Sequence, residues 1–181
     1  VRIISGKLKG KRFTVPKGFP SRPTTDFAKE GLFNILDNRI DIEGCHVLDL
    51  CSGTGNITFE FASRGAKHVT AVDYDIKSVQ WLRKNAQAFG ILNNLSAIKS
   101  DIVQFCQLTS SKFDLIFTDP PFHHTYHEEL IKVIQDRELL LPEGMLVVEH
   151  GKKTDLSHLP NFDCVRSYGN VSFSFFVNDP L

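Results

Sequence analysis

Beyond Gly44 the apolar positions fall into short, β-prone runs separated by stretches with helical spacing. His46-Val47-Leu48-Asp49-Leu50, His68 to Asp73, Leu95 to Lys99 and Phe113 to Thr118 read as four buried strands. Helices are predicted from Ile57 to about Arg64, from Ile76 to Phe89 with a stop at Gly90, and briefly near Val103. A helix over 127–137 and a strand over 145–149 add another unit. The tail from Phe162 to Val177 reads as two strands turned at Tyr168-Gly169-Asn170. Strand–helix alternation predicts a mostly parallel α/β sheet with helices on both faces. The closing pair has only a tight turn between its strands, so it must be antiparallel.

Before Gly44 the pattern differs. Residues 1–18 alternate around Gly6, Gly10 and Gly18 and predict a small β-hairpin carrying basic side chains. Arg22-Pro23-Thr24-Thr25-Asp26 is a turn rich in N-cap residues. Phe27, Leu32, Phe33, Ile35 and Leu36 then mark a helix with one buried face. The expected organisation is a hairpin extension over 1–20 followed by one domain over 21–181.

Composition changes this picture only slightly. Hydrophobic content of 41% and charged content of 23% suit a globular domain. No apolar run reaches membrane-spanning length and Val1-Arg2-Ile3 opens no signal-peptide pattern, so a cytoplasmic location is expected. Cys45, Cys51, Cys106 and Cys164 are scattered, which reads as reduced thiols without a zinc site. The zero net charge hides an asymmetry. Residues 1–39 hold nine Lys or Arg against three acids, giving +6 there and −6 elsewhere. Lys7, Lys9, Lys11 and Arg12 make the arm a candidate for phosphate contact, or else a solvated tail.

The candidate chemistry sits at strand ends. Asp49, Asp73 and Asp101 lie near the ends of three successive strands, and Ser52-Gly53-Thr54-Gly55 turns the first strand into its helix. Glycines there allow backbone amides close to a ligand, and an acid about 20 residues on suits a ribose diol. Asp73, 24 residues after Asp49, fits that role. A dinucleotide needs a third glycine where Phe59 or Glu60 falls, and its pyrophosphate would be repelled by Asp49. S-adenosylmethionine, with its ammonium and sulfonium, fits this Rossmann-like site better. Asp49 would lie near the methionine end, Asp73 at the ribose, and Asp101 at the adenine amine unless it serves only as a helix N-cap.

The fourth strand ends in Asp119-Pro120-Pro121-Phe122. The prolines fix φ and donate no amide hydrogen, so the Asp119 carboxylate and Pro120 carbonyl are rigid acceptors for a flat exocyclic amine. Phe122 would hold the ring. Alone, the tetrapeptide reads equally well as a strand end with a capping acid.

Together, Asp49 to Gly55, Asp73, Asp101 and Asp119 to Phe122 resemble the class I amino-methyltransferases. More narrowly, Arg2-Ile3-Ile4-Ser5-Gly6, Arg22-Pro23-Thr24-Thr25 and Glu30-Gly31-Leu32-Phe33-Asn34 resemble the RsmD family. That resemblance implies a class I methyltransferase fold and methylation of a guanine N2 amine in 16S (small-subunit) ribosomal RNA. The substrate would be the RNA or a small-subunit particle. Asp119, Pro120 and Phe122 would be catalytic, Arg22 and Thr24 would close the cofactor site or contact RNA, and a monomer is expected. Family members usually carry basic residues where Phe27 and Lys29 stand, and tyrosine is commoner at Phe122.

Rival readings are adenine-N6 methylation, protein glutamine methylation, a non-catalytic RNA-binding assembly factor, and an NAD-dependent oxidoreductase. Asp119, in place of the asparagine usual for glutamine substrates, and the basic arm favour nucleic acid. His123, His124 and His127 invite a metal reading, but no third ligand on a shared helical face is evident and no metal is expected.

Overall fold

The structure is a computed structural model that describes residues 1–19, 23–120 and 124–178. The elements are α1 (Asp26–Arg39), β1 (His46–Leu50), α2 (Asn56–Ser63), β2 (His68–Asp73), α3 (Ile76–Ala88) and β3 (Leu95–Lys99). After them come α4 (Ile102–Leu108), β4 (Phe113–Thr118), α5 (His124–Asp136), β5 (Leu140–Gly151), β6 (Phe162–Tyr168) and β7 (Val171–Val177). They form one seven-stranded sheet ordered β3-β2-β1-β4-β5-β7-β6. The first five strands in that order pair in parallel, and β7 pairs antiparallel with both β5 and β6. This is the predicted Rossmann-like sheet with its antiparallel edge.

The order places the cleft. From β1 the chain moves outward to β2 and β3, then returns to β4 on the other side of β1. A crevice opens where that direction reverses, outside the carboxyl ends of the strands. Asp49 and Leu50 of β1 stand beside Phe117 and Thr118 of β4, so Asp119 is delivered to the crevice by strand register.

Strand alternation sorts the core into two layers. Val47, Leu115, Phe117 and Val147 face Phe33, Phe59, Phe61 and Leu82 on the side of α1, α2 and α3. Leu48, Leu50, Ile116 and Leu146 face Ile102, Leu130, Ile131 and Ile134 of α4 and α5. Asp49 shares Val47's face, which turns its carboxylate toward α2.

Two boundaries differ from the sequence reading. Helix α5 begins at His124, and β5 reaches back to Leu140 because that residue pairs with Phe113 before the register shifts. Among the described residues no helix is long and apolar enough to cross a membrane.

The amino-terminal arm has less ladder and more anchoring than a simple hairpin. Its only bridge joins Arg2 to Arg12. Ile3, Leu8 and Phe13 are buried in the main core. Glu60 on α2 accepts from the Ile4 and Ser5 amides at 2.9 and 3.1 Å, and the Ser63 hydroxyl accepts from Leu8 N at 2.9 Å. Gly6 has a φ of +87°, and a Cβ there would run into the Ser63 carbonyl. Lys7, Lys9, Lys11 and Arg12 remain exposed.

Candidate active site

The crevice is a cleft of ≈ 620 Å³ whose lining includes Thr24, Asp49, Gly53, Asp73, Asp101, Phe117, Asp119 and Tyr126. Its floor is the turn after β1. The Cys51 and Ser52 amides donate to the Val72 carbonyl at 2.9 and 3.1 Å, pulling the turn across β2. Cys51 adopts a φ of 65°, so the chain reverses sharply there. Gly53 N donates to the Asp73 carboxylate at 2.8 Å, whose other oxygen accepts from Asp75 N at 2.8 Å. Gly55 caps α2 with a φ of 84°, and a Cβ there would strike Leu82 and Phe59. Trp81 ties down the back of the turn, donating from its indole to the Thr54 carbonyl at 2.9 Å.

The structure brings Asp49, Ser52, Gly53, Asp73, Asp101 and Asp119 together, with Thr24 opposite them. Gly55 stands behind the turn rather than in the lining, so its part is to let α2 approach. Asp101 is the N-cap of α4, accepting from Gln104 N at 2.9 Å, and also lines the cleft. Asp119 follows β4, its amide reaching the Leu50 carbonyl, and Pro120 is buried behind it. Arg22, Pro121, Phe122 and His123 lie outside the described residues. His127 is buried edge-on to His150 with ring centroids 6.4 Å apart, and the described residues contain no metal-holding group of three or more His, Cys, Asp or Glu.

Charge gives the cleft its chemistry. Among the described residues five aspartates (Asp49, Asp73, Asp75, Asp101 and Asp119) line it, and no lysine or arginine does. A pyrophosphate would find no counter-charge among these residues, whereas a ligand bearing ammonium and sulfonium would be attracted. The residues present therefore fit S-adenosylmethionine. Burial pushes the Asp49 carboxyl up to about 7 against a bond donated by the Thr58 hydroxyl, with Asp73 and Asp119 adding to the rise. Burial and the surrounding carboxylates also raise the Cys51 thiol, so it is a poor nucleophile.

Sequence reasoning missed two groups. The first is Glu149 on β5, which is 7% exposed. It hydrogen-bonds Asp119 and accepts from the Thr24 hydroxyl at 2.8 Å. Burial, then the Asp119 charge, holds its carboxyl well above the ordinary range; Asp119 is itself raised by burial. Both carboxyls are thus pushed in the same direction, Glu149 further than Asp119.

The second group is Lys29, fully buried on α1. Its ammonium reaches Asn56 Oδ1 at 2.7 Å, the Arg2 carbonyl at 2.8 Å and Glu60 at 2.9 Å. Asn56 in turn donates to the Thr24 carbonyl at 2.7 Å. Lys29 therefore holds the Thr24 segment at the cleft and cannot be an RNA contact. Burial lowers its pKa against the pull of Glu60. Phe27 is 65% exposed, and its ring meets Tyr168 edge-on at 5.6 Å.

Behind the turn lies a second groove. Lys77, Gln80, Trp81 and Lys84 recur at helical spacing along α3, and Pro16 to Phe19 run beside them. Phe19 and Trp81 rings meet at 5.6 Å. Three lysines line this groove and no acid does.

An open sheet with this strand order, a glycine turn after its first strand and acids at the strand ends has the architecture of a Rossmann-like class I methyltransferase. Solved structures share it. The 16S rRNA N2 G1207 methyltransferase RsmC of T. Thermophilus, in complex with AdoMet and guanosine, superposes with a TM-score of 0.70 at 24% identity, over 88% of this chain and 44% of that one. The Escherichia coli methyltransferase yhhF gives a TM-score of 0.88 at 29% identity, over 100% of this chain and 99% of that one. A family model described as "Conserved hypothetical protein 95" matches residues 1–177, and the chain belongs to that family, the RsmD family. Ribosomal RNA small subunit methyltransferase D of Haemophilus influenzae is 32% identical, covering 98% of this chain and 94% of its own. The protein of the same name from Escherichia coli K12 is also 32% identical, covering 88% and 79%.

Proposed function

We propose that this protein transfers a methyl group from S-adenosylmethionine to the exocyclic N2 amine of a guanine in 16S ribosomal RNA, in the cytoplasm. The observation that carries this reading is Asp119, followed directly by Pro120, in a cleft whose charged lining among the described residues is aspartate. The names of the two relatives support a small-subunit RNA substrate.

When bound, the cofactor supplies an electrophilic methyl group. Asp49 would face its cationic end, Asp73 its ribose and Asp101 its adenine. The guanine amine is a weak nucleophile because its lone pair is delocalised into the ring. The Asp119 carboxylate and Pro120 carbonyl accept its two N–H bonds and aim the lone pair. Such orientation supplies on the order of several kcal/mol. As the nitrogen becomes cationic its proton passes to Asp119; a positioned base typically adds ~10²–10⁴-fold. Phe122 stacks on the base, worth roughly 1–3 kcal/mol. A paired guanine cannot reach the cleft, so the target is looped out or flipped.

RNA is held outside the cleft. Lys7, Lys9, Lys11 and Arg12 contact phosphates, and the groove of Lys17, Lys77 and Lys84 adds a basic track with Trp81 as a stacking face. The test is transfer of label from S-adenosylmethionine to unmodified small subunits, to naked 16S RNA, and to either with Asp119→Ala. Label in RNA that is lost in the variant is expected. Cofactor binding without label on any RNA would overturn the reading.

A further inference from the structure

We infer that Glu149 is the positioning residue of the methyl-transfer site: held as a neutral acid, it donates its proton to Asp119 and leaves Asp119's second oxygen to accept from the substrate amine. The inference rests on the methyltransferase reading and deepens it.

The geometry assigns each atom one task. Glu149 Oε1 accepts from the Thr24 hydroxyl at 2.8 Å. The carboxyl also bonds Asp119, which must be an acceptor if it is to receive an amine hydrogen. Thr24 donates to Oε1, so the proposal puts the Glu149 proton on the remaining oxygen, toward Asp119. Thr24 is fixed from behind by Asn56 and Lys29, so the three residues form a braced row rather than a mobile contact. The groups facing Glu149 are Asp119 after β4, Asp49 on β1 and Thr24 before α1. On β7 its register partner is Phe173, and His150 bonds Ser174. Two ionised carboxylates in this enclosure would repel, and Asp119 would swing from its aim.

As the N–C bond forms, the methyl–sulfur bond of the bound sulfonium would break to leave a neutral thioether, and the substrate N–H proton would move to Asp119's second oxygen. Glu149 keeps its own proton throughout. Once product leaves, the proton on Asp119 is released to water, restoring the shared-proton pair.

Glu149→Gln keeps a donor toward Asp119 and an acceptor for Thr24, but cannot ionise. Its kcat is expected to fall about three- to tenfold at neutral pH, because an amide holds Asp119 less tightly than an acid does, with KM little changed. Wild type loses kcat at alkaline pH as Glu149 ionises, and the variant does not share that loss. Guanine's own N1–H titrates in that range, so the two proteins are compared on one substrate. Thr24→Val removes a donation that favours the ionised form, so its alkaline decline moves to higher pH. An identical decline in wild type and Glu149→Gln overturns the inference, as does a Gln variant inactive at every pH yet folded and binding cofactor. A readout independent of activity is the carboxyl ¹³C titration of Glu149 in the free protein, assigned by its loss in the Gln variant. A midpoint above neutral supports the assignment, and one beside the exposed glutamates overturns it. Should wild type methylate no RNA, the functional reading fails while this titration still decides the proton's place.

Discussion

The cleft and the groove behind it lie on opposite sides of one turn and carry opposite charge. Among the described residues five aspartates and no basic side chain line the first, and three lysines and no acid line the second. Trp81 belongs to the groove yet donates to Thr54 of the cleft's turn, so the two share a wall. The difference teaches how a chain of zero net charge can serve a cationic cofactor and a polyanion. Each ligand meets its own field, and the wall keeps phosphates away from the carboxylates. Behind the cleft, the buried Lys29 ammonium is paired with Glu60.

The sharpest way to break the acidic side is Asp119→Ala. Turnover should fall by about 10³-fold or more, with orientation and proton acceptance lost together, while cofactor affinity holds. Single-turnover kinetics beside calorimetric binding measures both. Lys29→Met should cost about 1–3 kcal/mol in denaturant unfolding, since Asn56 Oδ1 and the Arg2 carbonyl lose their donor while Glu60 keeps Arg64 as a counter-charge. The basic side is tested by reversing Lys17, Lys77 and Lys84 to Glu. RNA affinity should fall about tenfold or more at low salt, and the salt slope should shrink by about 2, with cofactor binding unchanged. Filter binding across a salt series reads it.

A smaller effect concerns pH and stability. Glu149's pKa is raised from 4.5 to about 9, first by burial and then by Asp119. Between those values the native state holds a proton that the unfolded chain gives up, so stability falls as pH rises through the window. Thermal unfolding of Glu149→Gln should show a shallower loss than wild type from pH 5 to about 9. Smallest of all, Cys51→Ala should leave transfer within about twofold of wild type, because a thiol whose pKa is raised supplies no nucleophile.

Much of the fold was legible because each strand is a short apolar run between turn residues. β1 through β4 fall on the predicted residues. The apolar run predicts β5 only over 145–149; pairing of Leu140 with Phe113 carries the strand back past Pro142-Glu143-Gly144. Cleft residues next to a glycine turn or a strand end were legible for the same reason. Glu149 was not, since it looks like the polar end of a strand until register sets it beside Asp119. Lys29 did leave a signal. With Leu32, Phe33 and Leu36 it follows the i, i+3, i+4, i+7 spacing of a buried stripe, and a cation there needs a buried partner. The arm was read as a basic hairpin because glycines and lysines dominate it; its anchor on Glu60 and Ser63 is a contact across more than fifty residues.

The most direct test is nucleoside mass spectrometry of 16S RNA from unmodified small subunits after incubation with this protein and S-adenosylmethionine. The account predicts one new N2-methylguanosine per RNA, absent with Asp119→Ala. Methyl groups found instead on adenine N6, or none on RNA from a protein that binds the cofactor, would contradict it.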